Sequence, residues 1–389
     1  MNKTVLGRTR KYRQKPVIRA NRLKRVRSGK RRSPSLPNRK ARGKQRLPKK
    51  YVIQIEPKVD LKGAYGAGVS AGAEALRLER LGTSLPPREH FRSLLTEWFR
   101  SRTEDPSPSY DRALALGTAF RDGYAASKRE NPRLYGVPVP LSGKASVVII
   151  ACNEERTLGN LLDELERIPL QEMVVVLNGC TDNSFGKVKD RKNVILAYYP
   201  ERLGHDIGRS VGAALACGDS LLFVDGDMAV PAEELAAFLY EQERGIDVVL
   251  NDISGYLPLY ERQDEVTRCK LFLNQVLGRQ DLKSNSLTAV PHVLSRKAIN
   301  TIGTGILAVP PKAQAAALLE GLTVSAPCTA DVIGRNRMRE GNSGAGNSVL
   351  QLILGDHLEA LNEAMHRKGA RLFWQTSSRP QLAKERNRP

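Results

Sequence analysis

The sequence predicts an α/β fold, a mostly parallel sheet flanked by helices and wound in the Rossmann manner. Three observations predict it. From Ala145 onward, short β-branched runs alternate with amphipathic stretches of helical period, the pattern of a parallel sheet built from βαβ units. Gly208 and Gly212 stand one helical turn apart, the spacing that close packing of a helix on a sheet requires. The apolar run at 221–224 reads as a central strand and passes directly into Asp225-Gly226-Asp227. In open α/β sheets ligands sit outside the carboxyl ends of the strands, so these carboxylates are the first candidate site. Two carboxylates flanking a residue without side-chain bulk suit a hard divalent cation. A solvated turn is the alternative.

The chain has 389 residues and a formal net charge of +21, unevenly placed. Residues 1–50 hold 21 Lys and Arg with no Asp or Glu, which leaves 41 residues of each sign in the remainder. The first 50 residues are therefore expected to be a disordered basic tail attracting a polyanion: an anionic membrane surface, nucleic acid or another anionic polymer. Cys152, Cys180, Cys217, Cys269 and Cys328 show no metal-ligand spacing and read as free thiols of a reducing compartment. No apolar run approaches the roughly 20 residues that span a bilayer. The basic N-terminus lacks the apolar core of a secretory signal. The expected location is the cytoplasm, with attachment to the inner face of the membrane open to it.

Tyr51 to Ile55 could form a lone strand, and residues 51–131 otherwise read as a helical N-terminal segment. In its first helix Gly68 and Gly72 share a face. Its second places Phe91, Leu94, Leu95, Trp98 and Phe99 on one apolar face, and its third carries Leu116, Phe120 and Tyr124 on one stripe. The segment reads as a small appendage with no chemistry of its own. Residues 132–143, with Pro138 and Pro140, read as a linker, and residues 376–389 as a polar tail.

Between them, 144–375 reads as one domain. Strands are expected at 146–151, 173–177, 193–198 and 221–224, then at 247–250 and 322–326. The helix after the first strand turns Leu158, Leu161, Leu162 and Leu165 inward, and the helix from 207 turns Ile207, Val211 and Leu215 inward. Pro231 opens a further helix, Val309-Pro-Pro311 another, and 350–365 a closing one. Residues 254–300 show no clear period.

Four blocks in register carry a family resemblance. They are Val148-Ile-Ile-Ala-Cys-Asn-Glu-Glu155, Val176-Leu-Asn-Gly-Cys-Thr-Asp-Asn183, Gly204 to Gly212 with Ala216-Cys-Gly-Asp219, and Phe223-Val-Asp-Gly-Asp227. Residues 145–240 resemble the nucleotide-binding half of a family-two glycosyltransferase with the GT-A fold. The resemblance implies a nucleotide-binding half at 144–250 and an acceptor half at 251–375. It implies an enzyme moving a sugar from a UDP- or GDP-linked donor to an unidentified acceptor, with Mn²⁺ or Mg²⁺ as cofactor. Ala151, Asn153 and Glu155 would shape the base and ribose pocket, and Asn178 would stand where many relatives place an Asp against uracil. Arg209 would meet the diphosphate or a ribose oxygen. Asp225 would contact ribose or metal, and Asp227, the end of this DxD motif, would bind metal. Asn153 and Asp182 can equally be cap or turn residues, and Arg209 a surface cation.

The acceptor half departs from the family pattern. An inverting displacement needs a carboxylate to take the acceptor proton, and relatives place it about 90–100 residues after the metal motif. Here that region, 305–314, contains no acid; Asp331 and Asp356 are the remaining catalytic candidates. His357 resembles a late histidine that completes the metal shell in some relatives, which makes it the third candidate ligand, and His292 is a candidate for the acceptor pocket. Arg335, Arg337 and Arg339 would suit an anionic acceptor or the leaving diphosphate. Two other readings are weighed. A sugar nucleotidyltransferase would need a glycine-rich basic loop after the first strand, where this chain has Cys-Asn-Glu-Glu. A non-catalytic GT-A-like protein would bind a polyanion through its basic tail.

Overall fold

The structure is a computed structural model and describes residues 59–82, 85–103, 107–335, 348–374 and 378–387. The basic tail, the proposed strand at 51–55 and two of the three loop arginines, Arg337 and Arg339, lie outside the described residues.

Seven strands form one sheet among the described residues: β1 (Ala145–Ala151), β2 (Leu170–Asn178), β3 (Val194–Tyr199), β4 (Ser220–Asp225), β5 (Val248–Asn251), β6 (His292–Ser295) and β7 (Val324–Cys328). Their order is β3-β2-β1-β4-β6-β5-β7. Only β6 runs against the others, pairing antiparallel with β4 and β5. The carboxyl ends of the remaining six therefore share one edge. The expected mostly parallel, Rossmann-like sheet is present.

Strand side chains alternate between faces, so each buried strand feeds two cores. Val147 and Ile149 of β1 face a layer containing α2 (Pro87–Ser101), α3 (Tyr110–Lys128), α4 (Leu158–Leu165) and α7 (Ala232–Glu243). Val148, Phe223 and Leu294 face the other layer, with α6 (Ile207–Leu215), α9 (Arg296–Ile302) and α10 (Pro310–Leu319). A third cluster joins α8 (Glu265–Val276), α10 and α11 (Ser348–Lys368). Two short or polar helices complete the order, α5 (Ser184–Val188) and α12 (Arg379–Arg386); the latter lies within the stretch read as a polar tail.

The N-terminal helices are not an appendage. Phe91, Leu116, Phe120 and Tyr124 belong to the same buried cluster as β1, and so do Val137, Val139 and Leu141. The stretch read as a linker is therefore core, with Val139 only 1% exposed. Prolines here deny the segment helical hydrogen bonds but do not keep it from packing. The first helix, α1 (Leu61–Arg80), lies backbone to backbone on α3. A Cβ at Gly68 would come within 2.0 Å of the Phe120 carbonyl oxygen, and one at Gly72 within 2.6 Å of the Tyr124 carbonyl oxygen. Gly68→Ala should therefore destabilise the fold by about 1–3 kcal/mol of overpacking, an excess over the roughly 1 kcal/mol of helix propensity that alanine returns. A fall in the urea midpoint at unchanged slope checks this.

The same device reverses one expectation about α6. The helix does press on β1, but with its glycines: a Cβ at Gly212 would lie 2.2 Å from Val148 Cγ1. Leu215, expected inward, is 41% exposed, while Ile207 and Val211 are half-buried. Small residues win the inward face because they let the axes approach. This brings the start of α6, and with it Arg209, close to the end of β4.

Candidate active site

The site is built where β1, β2 and β4 end. The turn after β4 is clamped on two sides: Gly226 N–H donates to the Ile150 carbonyl at 2.7 Å, and the Thr157 hydroxyl donates to the Gly226 carbonyl at 2.8 Å. A Cβ at Gly226 would lie 2.7 Å from the Cβ of Ala151, so only glycine lets the turn sit this close to β1. Asp225 and Asp227 flank this fixed point and both line a cleft. The Asp225 side chain remains 37% exposed there.

The cleft wall opposite is α6. Arg209 is 5% exposed, not a surface cation. Its guanidinium is 2.9 Å from Asp206 and 3.9 Å from Asp225, and it donates to the Leu287 carbonyl at 3.4 Å. Burial pushes the Asp206 carboxyl up, but Arg209 and His205 outweigh it and hold Asp206 below the usual range. For Asp225 the balance is reversed. Burial, with Asp227 and Asp206 nearby, pushes it up to about 6 against the pull of Arg209. A group so placed is stabilised by a bound cation, and two carboxylates offer the oxygen ligands that Mn²⁺ or Mg²⁺ takes.

Around the β1 and β2 ends the structure shifts the expected assignments by one residue. Cys152 and Glu154 line the cleft, while Ala151 packs beneath Gly226. Asn153 adopts a left-handed backbone (φ 61°), which turns its amide to accept from Thr181 N–H at 2.7 Å and Asp182 N–H at 3.3 Å. Glu155 accepts from Asn183 N–H. Asp182 closes the turn by accepting from Ser184 and from Glu155 N–H. Asn178 does line the cleft, but its amide donates to the Gly204 carbonyl at 2.7 Å and accepts from Leu203 N–H at 2.8 Å. It thereby fastens the loop that carries His205 and Asp206. Strand alternation stops at a left-handed residue, and no pattern in the sequence marks where it stops.

The late candidates separate. Asp356, on α11, interacts with Asp206 and His205; burial, then Asp206 and Glu359, push its carboxyl up to about 6. Asp331 accepts from Gly334 N–H at 2.7 Å, closing a turn after β7, and does not line the cleft. Arg335 is held by both oxygens of Glu234 at 2.7 and 2.8 Å. His292 stacks on Phe223 across the β4–β6 pair, donates from Nδ1 to Ala289, and is pushed down to about 3 by burial and Arg209. His357 does not join Asp225 and Asp227, because among the described residues no three His, Cys, Asp or Glu side chains gather as a ligand set. Its Nδ1 is instead committed to the Ile353 carbonyl of its own helix. Sequence reasoning missed Asp206, Cys152 and Glu154; an Asp three residues before Arg209 was the available signal for the first.

This geometry agrees with a comparison of the chain with known proteins. Residues 146–298 match the model of glycosyl transferase family 2. The match takes in β1 to β6 and every residue that lines the cleft. Over 116 residues the chain is 31% identical to the undecaprenyl-phosphate 4-deoxy-4-formamido-L-arabinose transferase of Proteus mirabilis (strain HI4320). That alignment covers 27% of this chain and 36% of the transferase, so the chain spans about a third of that relative's length. Solved structures similar to the chain include glucosyl-3-phosphoglycerate synthase from Mycobacterium tuberculosis with Mn²⁺, UDP and phosphoglyceric acid. It is 16% identical, covering 58% of this chain and 78% of that one, with a TM-score of 0.43. The same synthase with UDP alone is 18% identical, covering 56% and 80%, with a TM-score of 0.42. No helix among the described residues is long and apolar enough to cross a membrane.

Proposed function

We propose that the chain is a metal-dependent glycosyltransferase that takes a sugar from a UDP- or GDP-linked donor and passes it to an acceptor hydroxyl. The observation that carries this reading is the clamped Asp225-Gly226-Asp227 turn facing the buried Arg209. Asp225 and Asp227 would hold Mn²⁺ or Mg²⁺, the diphosphate and water supplying the other ligands. The ion would neutralise charge on the departing nucleoside diphosphate. Arg209, fixed by Asp206 and Leu287, adds a second positive charge that needs no reorganisation as the leaving group develops. Asp356 takes the acceptor proton: its carboxyl is raised toward neutrality and interacts with Asp206 and His205 of the cleft, which suits a general base, whereas Asp331 is spent on its own turn. The acceptor oxygen forms the new bond to the sugar as the bond to the diphosphate breaks. The basic segment at 1–50 would hold the enzyme to an anionic surface, and the protein would work in the cytoplasm.

Calorimetric titration of the full chain with UDP, GDP and CDP, each with and without Mn²⁺, tests the reading. One nucleotide binding only with metal is the expected result and names the base. No binding of any nucleotide by the folded chain would overturn it and return attention to a polyanion bound through residues 1–50.

A further inference from the structure

A second polar cluster lies beside the cleft, on the seam between α8 and α11. These helices pack through Leu273 and Val276 on one side and Ala360 and Ala364 on the other. One turn before Ala360 on that stripe stands His357, and one turn before Asn274 on α8 stands Lys270. His357 is 4% exposed. Its Nδ1 is 2.7 Å from the Ile353 carbonyl, which can only accept, so Nδ1 carries the proton and Nε2 presents a lone pair. That Nε2 is buried and finds no hydrogen-bond partner among the described residues. Lys270 is half-buried and makes no hydrogen bond or ion pair among the described residues.

Arg209 approaches the same place. The loop carrying Leu287, whose carbonyl receives Arg209, is fastened to α8 by Asn274, which donates to the carbonyls of Lys283 and Asn285. Gln314 completes the fastening by accepting from Leu287 N–H at 2.8 Å. Burial and the charge of Arg209 pull Lys270 down to about 8 against Asp264, and burial with Lys270 holds His357 neutral. The seam thus contains a cation that Asp264 offsets only from beyond hydrogen-bond reach, and a sheltered lone pair that receives no donor among the described residues. A buried unsatisfied group costs about 1–3 kcal/mol, and one ligand removes both costs if it brings a negative oxygen and an O–H together. A phosphate monoester does so as its monoanion, a form that a second pKa near 6 keeps within reach near neutral pH. Carboxylates and sulfate esters at neutral pH bring acceptors alone.

We propose that the α8–α11 seam, at Lys270 and His357 beside Arg209, binds a phosphate monoester borne by the sugar acceptor. The acceptor role rests on the donor-site reading above; the phosphate site does not. The test is calorimetry of the full chain with phenyl phosphate, phenyl sulfate and decyl phosphate, with Mn²⁺ and UDP present so that the diphosphate positions are filled. Phenyl phosphate should bind and phenyl sulfate should not. Lys270→Gln should weaken phenyl phosphate about tenfold to a hundredfold, the loss of one charged hydrogen bond. Lys270→Arg should retain binding, and both variants should keep the affinity for Mn²⁺–UDP within about twofold. Tighter binding of decyl phosphate assigns a lipid-borne phosphate and equal binding a soluble one; both uphold the site. A wild-type protein that binds Mn²⁺–UDP but not phenyl phosphate overturns the proposal. So does unchanged binding by Lys270→Gln, or phenyl sulfate binding as tightly as the phosphate. If UDP fails to bind, the donor reading falls, and Lys270-dependent phosphate binding still decides the site.

Discussion

Asp227→Ala should leave the fold intact and reduce turnover at least about 10³-fold, the several kcal/mol that a metal clamp on a leaving group supplies. The side chain sits just beyond a turn whose position is set by backbone and Thr157 contacts, none of which it makes itself. Its removal therefore leaves the backbone clamp of that turn in place. Metal-dependent nucleotide binding should disappear in the same variant, while the thermal transition stays within a few degrees of wild type. Full turnover by Asp227→Ala would show that the departing diphosphate is neutralised elsewhere in the chain.

Asp356→Asn should lower kcat by about 10²- to 10⁴-fold, the range expected on losing a general base, with metal–nucleotide affinity preserved. The pH profile separates this role from a structural one. A base works when deprotonated, and burial beside Asp206 holds the Asp356 carboxyl near 6. Wild-type kcat should thus be full above that value and fall tenfold per pH unit below it. The variant should lose that limb, because asparagine does not titrate. An acid limb that survives in Asp356→Asn would assign the proton to another group.

Much of this arrangement was legible from residue pattern. The four leucines of α4 are all fully buried as their spacing required, and the strand entering Asp225 is a central one. Short-range periodicity records burial well when one face of an element is wet. It fails where contact is made by absence of a side chain: α6 turns Gly208 and Gly212 inward, so its larger residues mislead. It fails also for β6, whose four residues are too few to show a period, and for α8, whose buried face includes Thr267 and Asn274. Proline-rich 132–143 looked like a connector because composition reports hydrogen-bonding capacity, whereas burial there comes from Val137, Val139 and Leu141 lying against helices distant in sequence. In the site, the position of Asp225 and Asp227 at the end of a central strand was readable. Asp206, and the shift from Ala151 and Asn153 to Cys152 and Glu154, depend on one left-handed residue and on loop closure that only the folded chain displays.

The merging of the N-terminal helices into the central core also sets an order for biosynthesis. Arg92 donates to the carbonyls of Leu141, Gly143 and Pro169; Tyr110 donates to the Glu233 carbonyl, and Tyr240 to that of Pro108. The helices leave the ribosome first, yet the surface that buries them is complete only when α7 has followed, some 130 residues later. At about 5–20 residues per second, that interval is on the order of ten seconds. Phe91, Phe120 and Tyr124 pack on one another and on Tyr135, but throughout that interval the face this cluster turns to the sheet stays open, so the nascent chain offers chaperones an apolar target.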